Sequence, residues 1–312
     1  MLRVQLRSKV SDERMHERRG TAVTEQDVSI LLNGDCAVYR PDGQPLCILL
    51  RGGIRPDELE MAYEPLRSIH RSKDGQLLQS KVTDNRGSYG GGKMQKGIVR
   101  RDGRVSLQTR TVDSEGYFTG VHSSVIGFYP RYPRIPFCRQ TAFTANEVER
   151  WNAVQPMIQR VASLFQEHLP ERYEKQAAIA ARTTQTFIIE GTPFTTLTVN
   201  DNVVASIHQD KLDFKEGFGV ISVIRRGSYK GHWLVFPQYC VGADLQDGDV
   251  IFFNSHDWHG NTERTDESPD AERISVVYYY RTDMAACLSL EDELKRAQDH
   301  GAAKWKSQTG LR

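Results

Sequence analysis

The sequence predicts an α+β fold that is mainly β, and three observations point to it. From Thr184 to Thr282, short apolar runs rich in Val, Ile, Phe and Tyr alternate with turns of Gly, Pro, Asp and Asn, the mark of successive strands. Ahead of them, Ala145 to about Arg182 repeats its apolar residues at helical spacing. Inside the strand region, His208-Gln209-Asp210 is followed forty-nine residues after the aspartate by His259, with Arg273 and Ser275 a further fourteen and sixteen residues on. Side chains of this kind, carried in this order on strands and the loops they hold, suit a double-stranded β-helix core, jelly-roll or cupin-like, buttressed by helices.

Residues 1–120 read as short strands and turns with one helical patch near Pro56 to His70, an extension expected to pack on the core and not to form an independent domain. The core is expected over residues 121–285. Thr144 is placed to cap a helix from Ala145 to Leu169, with Glu147 three residues on and Val148, Trp151, Val154, Ile158, Val161, Ala162 and Phe165 at helical spacing. Pro156 lies inside this pattern and is expected to kink or split the helix, because proline lacks the amide donor and its ring crowds the preceding turn. Leu169-Pro170-Glu171 opens a second helix to about Arg182. The apolar stripe of these helices reads as core. Residues 286–312 form a helical tail, with a polar helix over Leu290 to Lys306.

Val203 to His208 is rich in β-branched residues and reads as a strand, with Gln209 to Gly219 as the loop leaving it. His208 would then sit at a strand end and Asp210 just beyond. Gly248-Asp249 reads as a turn, Val250 to Phe253 as a buried strand, and the loop after it carries both His256 and His259. Arg273 to Tyr280 begins by alternating polar and apolar residues, which puts Arg273 and Ser275 on one face of one strand.

Two histidines and a carboxylate are the ligands of non-heme Fe(II) oxygenases, because three ligands on one face of the metal leave positions open for a bidentate co-substrate and for dioxygen. His208, Asp210 and His259 are therefore the candidate iron ligands and catalytic centre, with His256 as the rival to His259. A guanidinium fork and a hydroxyl on one strand face suit the distal carboxylate of 2-oxoglutarate, so Arg273 and Ser275 are the candidate anchors. Fe(II), 2-oxoglutarate and O2 are the cofactors implied, with ascorbate as reductant in vitro. Asn200, Asn202, Asp213, His256 and Arg281 lie near the ligands in sequence and are candidates for reading a substrate. Asp213 could instead orient a ligand or cap the loop.

The 312 residues carry a net charge of only +1, which alone argues against nucleic-acid binding, but the charge is unevenly placed. Between Arg71 and Arg110 ten Lys or Arg stand against three Asp, a net of +7 in forty residues. This basic segment contains Asn85-Arg86-Gly87-Ser88-Tyr89-Gly90-Gly91-Gly92-Lys93, whose backbone could approach phosphates closely and whose tyrosine could stack on a base. It lacks the spacing of a P-loop. The five cysteines show no paired or metal-type spacing, and with an odd count and no hydrophobic secretory core the expectation is reduced thiols, no disulfides and a cytoplasmic, non-secreted protein. No apolar run approaches a membrane span.

The chain also resembles a known family. Gly191 to Asn200, His208-Gln209-Asp210 and Phe214 to Gly219 look like the oxygenase domain of the base J-binding protein and TET group, and Leu234 to Pro237, Trp258 to Thr262 and the Arg273 strand ending Tyr279-Tyr280-Arg281 continue the match. Ser123 to Phe128 and Cys138 to Thr141 resemble the kinetoplastid branch, so the likeness spans about residues 120 to 284, with a fainter echo at Asn85-Arg86-Gly87. The resemblance implies an Fe(II)/2-oxoglutarate dioxygenase that oxidises the 5-methyl group of thymine or 5-methylcytosine in DNA, with His208, Asp210 and His259 on iron and Arg273 on 2-oxoglutarate. No cysteine-rich zinc module of the animal TET type is legible, so the resemblance implies a compact, catalytic-domain form of the microbial or viral type. Hydroxylation of a free amino acid, nucleoside or other small metabolite on the same scaffold is the alternative. A non-catalytic reader of modified bases is disfavoured by the intact ligand set. Oligomeric state is not legible.

Overall fold

The computed structural model describes residues 1–7, 9–71, 122–133 and 135–309, the last eight of these as helix backbone only. The basic segment beyond Arg71, with its glycine run and Tyr89, lies outside the described residues. Among those described, nine strands form one large sheet in the order β1 (Leu2–Gln5), β3 (Cys36–Tyr39), β4 (Pro45–Leu50), β12 (Val250–Phe253), β8 (Gly219–Arg226), β15 (Glu272–Tyr279), β7 (Thr196–Asp201), β5 (Ser123–Tyr129) and β6 (Arg139–Gln140). A second sheet runs β13 (Gly260–Asn261), β10 (Leu234–Phe236), β11 (Val241–Ala243) and β2 (Ile30–Leu32), and β14 (Arg264–Asp266) pairs with β9 (Tyr229–Gly231). Most pairs are antiparallel, as a jelly-roll requires; β1 with β3 and β11 with β2 are parallel.

The large sheet is apolar on both faces because its strands alternate between two cores. Ile48, Val220, Ile224, Val250, Phe252, Ile274, Val276 and Tyr278 point to the helices, whereas Leu49, Ile221, Val223, Ile251 and Phe253 point to the second sheet and meet Leu234, Phe236, Val241 and Ala243. This is the helix-buttressed double-stranded β-helix that the sequence predicts.

The helices are α1 (Asp12–Glu17), α2 (Pro56–Arg67), α3 (Ala142–Asn146), α4 (Val148–His168), α5 (Pro170–Arg182) and α6 (Leu290–Thr309). Two expectations for the helical region are corrected. The helix does not begin at a Thr144 cap: Thr141 caps the short α3, accepting from the Thr144 amide, and the Thr144 hydroxyl accepts from Gly127 N at 2.8 Å instead. Nor does Pro156 split α4, which runs through it. Val154, Met157, Ile158, Val161, Leu164 and Phe165 are buried against the sheet. At about 1.5–3 kcal/mol per buried apolar side chain, their burial outweighs the ~3 kcal/mol that an interior proline costs.

The strand expected over Val203 to His208 does not form. Asn202 takes a left-handed backbone (φ 57°) just after β7, and the chain leaves the sheet as irregular loop up to a single bridge at His208. The expectation of no disulfides also fails, since Cys138 and Cys287 are bonded with Cα atoms 5.8 Å apart, within the usual range. They stand 149 residues apart, so no local spacing could reveal the pairing. Beside the bond, the buried Glu293 accepts from Cys138 N at 2.9 Å and Leu288 N at 2.8 Å and pairs with Arg131, tying α6 to the core. No helix among the described residues is long and apolar enough to cross a membrane.

Candidate metal and co-substrate site

His208 and His259 face each other across an isolated antiparallel bridge, His208 N donating to His259 O at 2.9 Å and His259 N to His208 O at 3.0 Å. Residues opposed in this way project to the same side, and the ring centroids lie 4.2 Å apart. Asp210 N donates to Ser255 O at 2.9 Å, which carries the carboxylate round to the rings. Its oxygens lie 3.7 Å from His208 Nε2 and 3.5 Å from His259 Nε2. One ligand atom from each of the three residues falls within 4.8 Å of the others.

The ring orientations are fixed from behind. His208 Nδ1 hydrogen-bonds Ser206 O at 2.8 Å and His259 Nδ1 hydrogen-bonds Asp257 O at 2.9 Å. A carbonyl only accepts, so each Nδ1 carries the proton and each Nε2 keeps its lone pair toward the shared centre, as metal ligation needs. Burial and the neighbouring His259 lower the His208 pKa. Burial would raise Asp210, but the polar contact with His259 and the nearby imidazoles win and hold it at about 2. Burial would lower His259, yet Asp210 raises it. An anionic carboxylate between two imidazoles, half open to solvent, is a donor set that fits a divalent iron.

Arg273 and Ser275 point into the space between the sheets. In register they lie opposite Arg225 and Val223 of β8, and Ser275 is opposite Asn200 of β7. Arg273 is 2% exposed, and its Nε is buried without a hydrogen-bond partner. Two further groups close to it are in the same condition: Tyr229 Oη and His232 Nδ1, in residues 3% and 2% exposed. Arg225 lies 3.8 Å over the Tyr229 ring and Arg264 5.3 Å from it. Burial, followed by the charge of Arg273, pushes His232 well below its ordinary pKa, so it is neutral. Buried polar groups are seldom left unpaired. His232 Nε2 donates to Val203 O at 2.8 Å, which leaves its Nδ1 an acceptor, so the unmet donors are Arg273 Nε and Tyr229 Oη, and this cationic pocket fits a small dicarboxylate such as 2-oxoglutarate. Sequence reasoning missed Tyr229, His232, Arg225 and Arg264; only a tyrosine and a histidine in the glycine-rich stretch 227–232 hinted at them.

The other sequence candidates divide into two groups. Asn202 belongs to the arginine pocket: its Oδ1 accepts from Arg273 N at 2.7 Å and from Arg264. Asn200 lies on the same inner face, half-buried. Asp213 and Arg281 instead pair in an isolated bridge at the far end of β15. Burial and the charge of Asp210 push the Asp213 carboxyl well above the usual range. His256 is outside the ligand cluster; its Nε2 donates to Asp213 O at 3.2 Å.

Comparison with known proteins agrees with this geometry. Residues 125–282 match the Tet/JBP oxygenase domain of the 2-oxoglutarate and iron-dependent dioxygenase superfamily. Similar curated proteins include thymine dioxygenase JBP1 of Trypanosoma brucei brucei, 33% identical over 200 residues covering 61% of this chain and 23% of that protein. JBP1-B of Trypanosoma cruzi is 36% identical over 171 residues, covering 53% of this chain and 20% of that protein. The chain thus spans about a quarter or less of the length of these relatives. NgTET1, solved in complex with 5mC DNA, shares the fold at a TM-score of 0.57 and 12% identity, over 93% of this chain and all of its own. With the family match extending over half of its length, this chain belongs to the Tet/JBP oxygenase family.

Proposed function

We propose that this protein is an Fe(II)- and 2-oxoglutarate-dependent dioxygenase that hydroxylates the 5-methyl group of thymine or 5-methylcytosine in DNA. The observation that carries the reading is the pairing of a two-histidine, one-carboxylate cluster with a buried, unsatisfied arginine pocket on the same sheet face. Iron and 2-oxoglutarate would supply the dioxygen activation, with succinate and CO2 as co-products. His208, Asp210 and His259 hold the metal, and the carbonyls of Ser206 and Asp257 keep their rings in register. Arg273 and Ser275, with the Tyr229 hydroxyl beside them, would take the distal carboxylate of the co-substrate. Asp213, Arg281 and His256, joined by the Asp213 to Arg281 bridge and the His256 Nε2 to Asp213 O hydrogen bond, would face the substrate.

DNA as substrate is supported by the relatives, which are thymine dioxygenases. A pyrimidine within a duplex must be flipped out to reach such a centre, and the donors and acceptors of Asp213 and His256 suit a base edge. The test is mass spectrometry after incubation with Fe(II), 2-oxoglutarate and ascorbate, using thymine DNA, 5-methylcytosine DNA, or free nucleosides and amino acids. A gain of one oxygen on a DNA pyrimidine is the expected result. Oxygen only on a free metabolite would overturn the DNA reading in favour of a small-molecule hydroxylase.

A further inference from the structure

Among the described residues, most half-buried arginines pair with a carboxylate. Arg18 meets Asp27 at 2.6 Å, Arg67 meets Glu272 at 3.1 Å and Arg40 meets Asp257 at 3.3 Å. Three arginines among the described residues combine the lack of an ion pair with a buried nitrogen that has no hydrogen-bond partner: Arg273 Nε, Arg281 Nε and Arg139 Nη1. The first belongs to the co-substrate pocket. The other two lie together at the opposite end of the sheet, and the metal and co-substrate sites use neither.

Arg139 sits on β6 directly across from Tyr129 of β5. Its guanidinium carbon lies 4.9 Å from the Tyr129 ring centroid and 5.9 Å from that of Tyr132, and the Arg281 guanidinium approaches the same Tyr132 ring at 5.5 Å. The two rings meet edge to face at 6.0 Å. Arg281 is bridged to Asp213, three residues beyond the candidate ligand Asp210, so the cluster is tied to the segment that carries that ligand. Aromatic faces relieve the desolvation of a guanidinium only in part. What two such cations still lack is an anion with several acceptor oxygens, which a neutral base does not provide and a phosphodiester does.

We propose that Arg139, with Arg281 and the rings of Tyr129 and Tyr132, forms a phosphodiester site that grips the nucleic-acid backbone beside the pyrimidine being oxidised. The inference rests on the DNA reading above. Backbone contacts of this kind set the register of the strand and leave sequence to be read elsewhere.

The test uses the full chain and labelled duplex DNA, with affinity followed by fluorescence anisotropy across salt concentration and oxidation of the same DNA by mass spectrometry. Arg139→Gln should weaken binding roughly tenfold at low salt and reduce the slope of log affinity against log salt by about 0.9, the share of one phosphate. In parallel, DNA carrying single uncharged methylphosphonate linkages is scanned with the wild-type chain, a measurement that needs no variant to fold. One linkage next to the target should cost a similar factor, and Arg139→Gln should be indifferent to that linkage. An unchanged salt slope in Arg139→Gln, or a wild-type chain that oxidises DNA yet is indifferent to every neutral linkage, overturns the phosphodiester site alone. A wild-type chain that neither binds nor oxidises DNA overturns the proposed function itself.

Discussion

The two faces of β15 divide the labour of the molecule. Ile274, Val276 and Tyr278 enter the core beneath the helices, where Tyr278 meets Phe194 at 5.7 Å and its hydroxyl pairs with Ser222 at 2.8 Å. Arg273 and Ser275 alternate with them onto the inner face, where Arg273 Nε has no partner. One face is apolar and satisfied; the other is charged and left incomplete. Both follow from the two-residue period of a strand, and the contrast teaches that stability and binding are separable here at the level of single side chains. A burial that lacks its hydrogen bonds costs free energy, and here it falls on the inner face and not on the face beneath the helices.

Substitutions can break this comparison, beginning with the largest effect. His208→Ala or Asp210→Ala should abolish turnover while the thermal midpoint holds, because neither side chain belongs to a hydrophobic core; full activity in either variant would remove the metal assignment. On the opposite face, Phe165→Ala should lower unfolding free energy by about 3–5 kcal/mol, the cost of emptying a buried aromatic site. Phe165 stacks on Phe252 at 5.8 Å and on Phe194 at 6.2 Å. Iron affinity of the folded fraction, read by calorimetry, should be unchanged, and a parallel loss would show the faces to be coupled.

Two further changes sharpen the comparison. Arg273→Ala should raise the 2-oxoglutarate requirement by roughly 10- to 150-fold, the worth of about 1.5–3 kcal/mol for a hydrogen bond to a charged group. The same variant should not lower the thermal midpoint, since the guanidinium Nε makes no protein hydrogen bond to lose. An unchanged requirement would shift that role to Arg281 or elsewhere. Away from both faces, Cys138→Ser should cost about 2–4 kcal/mol of stability under oxidising conditions. In excess thiol reductant, wild type and variant should unfold nearly together, and a difference that persisted would mean the bond is not what ties residue 138 to the segment after β15.

Much of the candidate site was legible because its chemistry is written in fixed local spacings. His208 and Asp210 are two residues apart, and the alternation of β15 alone puts Arg273 and Ser275 on one face. The helices at 56–67, 148–168 and 170–182 could be read from apolar periodicity for the same reason. Local reasoning failed where a distant partner decided. Thr141 won the cap because the Thr144 hydroxyl was claimed by Gly127, and α4 passed through Pro156 because the sheet buried both sides of it. Val203 to Ser206 did not become a strand because the backbone turns at Asn202, whose side chain is held by Arg273 and Arg264.

By itself, then, the sequence determined the elements, the order of the ligands and the alternation that aims them, since these depend on contacts between near neighbours along the chain. Only the tertiary structure decided the Cys138–Cys287 bond, the Tyr229 and His232 groups beside Arg273, and the meeting of Arg139 with Arg281 across Tyr132. Each joins residues from separate strands or loops, whose proximity is created by sheet order and register, and no periodicity in the chain encodes which distant side chain will stand opposite.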